Sequence, residues 1–148
     1  MKLRTSLAAA GAAVVLGTTG ALVLPAVASA HSASTTLKFI SVQQKSVRFG
    51  KASGGNQDTD VNAAGKTVGF DMICFTATSA TTGAFNVTVD TNGGFLYGTG
   101  ILNTKTGVVS NGKVTGGTGS FAGATGTIKA KNLNPAGTRT AVTITYST

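Results

Sequence analysis

The chain has 148 residues, with twelve Lys and Arg against four Asp and no Glu, a single Cys and 21 Gly, for a net charge of +8. One cysteine excludes an internal disulfide, and one histidine, at position 31, leaves no His-based catalytic triad for the body of the chain. The cations are scattered singly without interleaved aromatics, so they argue for solubility and weak attraction to anionic surfaces, and no nucleic-acid partner is expected.

In chain order, residues 1–30 come first. Lys2 and Arg4 precede an uncharged apolar run, and Pro25 followed by AVASA places small residues at Ala28 and Ala30, the spacing that a signal peptidase reads. Cleavage after Ala30 would give a secreted, extracellular product with no membrane attachment. An uncleaved anchor is the competing reading, because residues 5–30 carry no charge over a length that spans a bilayer. A short flexible segment is expected at 31–36 and one domain of ordinary size at 37–148.

Past residue 36 the chain is rich in Thr, Val, Gly, Ser and Asn and lacks 3.6-period apolar stretches, which predicts an all-β fold. Strands are expected at 37–49, 67–78, 84–91, 95–103, 108–116, 124–131 and 139–147, separated by the turn signals TTG, NGG, KTG and NPAG. Residues 50–66, GKASGGNQDTDVNAAGK, are expected as an irregular loop. Seven or eight short antiparallel strands either stack as a sandwich or close into a barrel. Glycines within or beside strands, among them Gly69, Gly98, Gly100, Gly117 and Gly126, favour the closed, tightly coiled form. The glycine-rich run GGTGSFAG (116–123) is then a strand corner. A dinucleotide loop needs a third glycine where Ala122 stands, and a phosphate loop needs a Ser or Thr where Val114 stands.

VTGGTGSFAGATGTI (114–128) resembles the signature of the allene oxide cyclase and dirigent-like barrels. GKTVGFDMIC (65–74) is similar to that family's second strand, and GGFLYGTG (93–100) resembles its central hairpin. The resemblance implies an eight-stranded antiparallel β-barrel with a largely apolar cavity opening at one end, of a kind that is often oligomeric, as a dimer or trimer. It implies a small hydrophobic or phenolic partner and no cofactor, with any activity being that of a cyclase, isomerase or stereo-guiding protein. Two departures bear on activity. Where the cyclase branch has a glutamate on its first strand, this chain has Gln43 and Gln44, and the arginine of dirigent-like relatives is replaced by Ala122 or Thr125. No catalytic residue is assigned, and whether the chain is an enzyme stays open.

Candidate ligand-binding residues are Cys74, Asp71, Tyr97, Tyr146, Asp58 and Asp60. Cys74 matches the family cysteine that lines the cavity, and its alternative is a small buried hydrophobe. Strand alternation puts Val68, Phe70, Met72 and Cys74 on one face and Asp71 and Ile73 on the other, so Asp71 is either an exposed carboxylate or a cavity acid. Asp58 and Asp60 fall in the expected loop, where the resemblance to dirigent-like barrels implies acidic residues near the barrel mouth. Their spacing in DTDVNA is that of a calcium loop, but Ala63 replaces the required glycine and Gly69 the bidentate glutamate, so a solvated turn and no metal are expected. Tyr97 and Tyr146 are core or rim residues, or donate a hydroxyl to a ligand. Two rival functions remain: an exported structural protein whose barrel is filled by its own side chains, and a binder of anionic polymers, which would be retained on heparin in a salt-sensitive way.

Overall fold

The computed structural model describes residues 33–148. The expected signal segment and His31 lie outside the described residues. Eight strands follow in order: β1 (Thr35–Arg48), β2 (Ser53–Val61), β3 (Thr67–Ala77), β4 (Thr82–Thr91), β5 (Gly94–Asn103), β6 (Val109–Gly117), β7 (Thr125–Asn132) and β8 (Arg139–Ser147). Each pairs antiparallel with the next, and β8 returns to β1 to close the barrel. Across the closure Leu37 faces Ile144 and Phe39 faces Val142, so the seam is sealed by apolar pairs on the inner face. Among the described residues, each of the eight strands is paired on both sides.

The up-and-down order sorts the connections. Those after β1, β3, β5 and β7 share one rim, called upper here, and those after β2, β4 and β6 share the lower rim.

The lower half carries the packed core. Phe39, Val89, Leu96, Val114, Phe121, Ala124, Ile128 and Ile144 form a continuous buried core. Phe121 reaches it from the glycine-rich corner, where a single 3-10 turn (Gly119–Phe121) folds beneath the barrel and its ring meets Tyr146 edge-on at 5.3 Å. Gly119, which opens this turn, and Gly123, just beyond it, have φ of 59° and 76°, a conformation that side chains with a Cβ avoid. The run is therefore a strand corner, as its sequence predicts, and also the plug of the lower end.

One expected element needs correction. Residues 50–66 are not one irregular loop, because β2 occupies 53–61. Its inward positions are Asn56, Asp58 and Asp60, so the strand lacks the apolar alternation by which strands are recognised. Pairing on both sides, with β1 and β3, holds these poor strand formers extended.

The upper half is hollow, with a cavity of about 300 Å³. Phe75 lies directly across the β2–β3 ladder from Gly54, and Phe85 lies across the β4–β5 ladder from Gly100. A Cβ on Gly54 would sit 3.0 Å from the Phe75 ring, and one on Gly100 would sit 2.9 Å from the Phe85 ring. Each phenyl group thus rests on a bare glycine, against the wall instead of across the lumen.

Candidate functional site: a buried carboxyl cluster beneath an apolar cavity

β1, β2 and β3 build the floor of the cavity. On β2, Asp58 and Asp60 are two residues apart and so share the inner face. Asp58 lies directly opposite Asp71 of β3, and Asp60 lies opposite Ser41 of β1. All four side chains are buried, with Asp60 and Ser41 almost fully enclosed. The Ser41 hydroxyl donates to Asp58 Oδ2 at 2.8 Å. Neither Asp60 oxygen has a donor, and the approach of Asp60 to Asp71 is a contact between two carboxyl groups. Two carboxylates are both acceptors, so that contact becomes a hydrogen bond only when one of them carries a proton.

Electrostatics follow from this packing. Burial pushes the Asp58 carboxyl up to about 6, against the lowering effect of the Ser41 hydroxyl and with a smaller upward push from the charge of Asp71. Burial likewise raises Asp60, and its hydrogen bond to Asp71 together with repulsion from its two neighbours raises it further. Asp71 is raised by burial, with smaller downward effects from its neighbours Asp60 and Ser41. Asp60 therefore favours its protonated form at neutral pH, whereas Asp58 titrates at about 6.

Above this floor the walls are apolar, formed by Phe39, Ile73, Phe75, Phe85, Val87 and Val142 among others. Thr104, Asn132 and Thr140 mark the upper mouth, where the Thr140 hydroxyl donates to Asn132 Oδ1 at 3.1 Å. Asp58 and Asp71 face this cavity. Asp60 faces the other way, into a recess at the lower end beside Leu37, Phe39 and Val68. The arrangement can orient an apolar guest, hydrogen-bond its inner end and exchange a proton through Asp58 near pH 6.

Of the residues singled out in the sequence, Asp58 and Asp71 meet at the floor and Asp60 lies beneath them. Asp58 and Asp60 are not solvated turn residues, because the strand carries them inside. Tyr146 is an inner residue of the lower plug, packed on Phe121. Tyr97 and Cys74 point outward. Cys74 is exposed, on the same outer face as Val68, Phe70 and Met72, so it does not line the cavity. The alternation expected for β3 holds, but its more apolar face is the outer one. Native protein should accordingly react with a small thiol reagent such as dithiobis(nitrobenzoate) as fast as unfolded protein does, to within about threefold. Protection by orders of magnitude would return Cys74 to the interior.

Ser41 and Asn56 are the functional positions not anticipated from sequence. The signal for the cluster lay in composition, since three of the chain's four acidic residues are gathered here.

No protein-family model matches the chain, and no curated protein matches it. Among solved structures, it is similar to AbnU, an exo-specific intermolecular Diels-Alderase, with a TM-score of 0.63 at 11% identity, covering 77% of this chain and 98% of that one. At this identity the likeness is one of fold. It agrees with the closed antiparallel barrel of this chain.

Proposed function

We propose that the protein is an exported, cofactor-free barrel that binds a small apolar or phenolic molecule in its upper cavity and promotes cyclisation or isomerisation of that guest. The observation that carries this reading is an apolar, upward-opening space of about 300 Å³ that ends on a buried carboxyl titrating near neutrality. That volume is at the small end of the ~300–1,000 Å³ typical of ligand pockets. Holding a flexible guest in one reactive conformation lowers the entropic part of its barrier, and a carboxyl poised near neutral pH can give or take a proton at the guest's inner end. The proton chemistry is assigned to Asp58 on β2, which compensates for the amides Gln43 and Gln44 on β1. The AbnU likeness supports the reading to the extent that one barrel of this fold is a ring-forming enzyme. The rival, a barrel filled by its own side chains, has less support, because Phe75 and Phe85 lie along the wall.

Titration with naphthalene, followed by its fluorescence, tests the cavity. Saturable binding of one equivalent is expected. Ala130→Phe places a ring inside the lumen from β7 and should weaken binding by at least about tenfold, with the far-ultraviolet circular dichroism unchanged. Absence of saturable binding to the wild-type protein would overturn the proposal.

A further inference from the structure

The cavity floor holds acceptors with nothing to satisfy them. Asp58 Oδ1 and Asp71 Oδ1 have no hydrogen-bond partner, although Asp58 and Asp71 are only 5% and 4% exposed and both residues line the cavity. Among the described residues, no Lys, Arg or His lines the cavity beside them. The titratable groups facing Asp58 are Asp71 across the ladder on β3 and Asp60 on its own strand. β1 presents Ser41, whose hydroxyl is already given to Asp58 Oδ2. The charged residues of the flanking strands, Lys38, Lys45 and Arg48 on β1 and Asp90 on β4, are exposed.

A buried acceptor left without a donor costs about 1–3 kcal/mol, and more when it is charged. A guest whose inner end only accepts hydrogen bonds adds to that cost, and a carboxylate also meets like charge. A hydroxyl gives one hydrogen and leaves the second acceptor unsatisfied. An ammonium gives three hydrogens and supplies the positive charge that the floor lacks. We infer that the preferred guest is a protonated primary amine with an apolar tail, its ammonium seated between Asp58 Oδ1 and Asp71 Oδ1. This inference rests on the cavity reading above and names the chemical class of that cavity's ligand. Seating the ammonium favours the ionised floor, so binding releases protons and strengthens as the pH rises from about 5 to about 7.5, a range over which an alkylamine stays charged.

Isothermal titration with three probes that share a six-carbon tail separates the outcomes. At about pH 7.5, hexylamine should bind at least about tenfold more tightly than hexanol, and hexanoate more weakly than either. At about pH 5 the preference for the amine should shrink to about threefold or less, because the floor is then largely neutral. Asp58→Asn should lower hexylamine affinity by about tenfold or more while hexanol changes by no more than about threefold. If that variant fails to fold, the comparison of the three probes on the wild-type protein decides. Equal affinity for hexylamine and hexanol at neutral pH, or binding of naphthalene with no binding of hexylamine, overturns the amine assignment and leaves the cavity standing. If neither naphthalene nor any hexyl probe binds, the cavity reading itself fails.

Discussion

Melting temperature should fall as pH rises from about 3 to about 8, the reverse of ordinary acid denaturation. Acid usually unfolds proteins by protonating carboxylates that the native state holds ionised. Here the chain has four acidic residues, and three of them sit in the floor cluster with raised proton affinity. A carboxyl whose folded value lies above its unfolded one contributes stability that is complete below the unfolded value and is lost as pH climbs to the folded value. For Asp58 the window runs from 3.8 to about 6. For Asp60 it extends to about 9. After allowance for screening by solvent in the open cavity, Asp58 alone accounts for about 1–2 kcal/mol. With Asp60 and Asp71 included, the melting temperature should drop by roughly 10 °C or more over the range. Asp60→Asn removes an ionisable group while keeping a donor for Asp71, so it should melt higher than wild type at pH 8 and change less with pH. A wild-type curve that is flat or rises with pH would show that these carboxyls are not buried as described.

Gly126→Ala should destabilise the barrel by roughly 3 kcal/mol or more, visible as a large shift of the urea midpoint. Gly126 of β7 lies opposite Tyr146 of β8. A Cβ there would run into the Thr145 carbonyl oxygen and stand 2.7 Å from Tyr146 Cα, and both obstacles are backbone. A side chain could swing away, but a paired strand cannot, so β7 and β8 would have to separate next to the Phe121–Tyr146 plug. Gly50→Ala is the control, because nothing lies within 4 Å of a Cβ at that position, and it should change stability by less than about 0.5 kcal/mol. Equal midpoints for the two variants would contradict the close approach of β7 and β8.

These two predictions draw on features that differed in how visible they were beforehand. The strands rich in Thr and Val announce themselves through alternation, and β8 has the observed bounds that its pattern predicts, 139–147. The glycines also announced a closed sheet, although their local role is wider than bending: Gly54 and Gly100 make room for phenyl rings on the neighbouring strand. β2 was hidden because sequence methods recognise a strand by an apolar inner face, and this one turns Asn56, Asp58 and Asp60 inward. β3 misleads for the complementary reason. Its richer apolar set, Val68, Phe70 and Met72, faces outward, while Asp71 takes the inside to meet Asp58. A carboxyl contradicts the local hydrophobic pattern when it is buried by partners distant in the chain, and Ser41 and Asp71 are 30 positions apart. Only the closed sheet brings them together, so the candidate site was legible in its residue types and illegible in its assembly.

The central claim is that the upper half of the barrel is hollow and receives an apolar guest above Asp58 and Asp71. A crystal structure of the protein grown with 4-bromophenol measures this directly, because the bromine is located by its own anomalous signal. The account predicts a bromine peak among Phe39, Phe85 and Val142, with the phenol oxygen directed to the carboxyl floor. Bromine found only on the outer face around Phe70 and Met72, with Phe75 and Phe85 turned across the lumen, would contradict it.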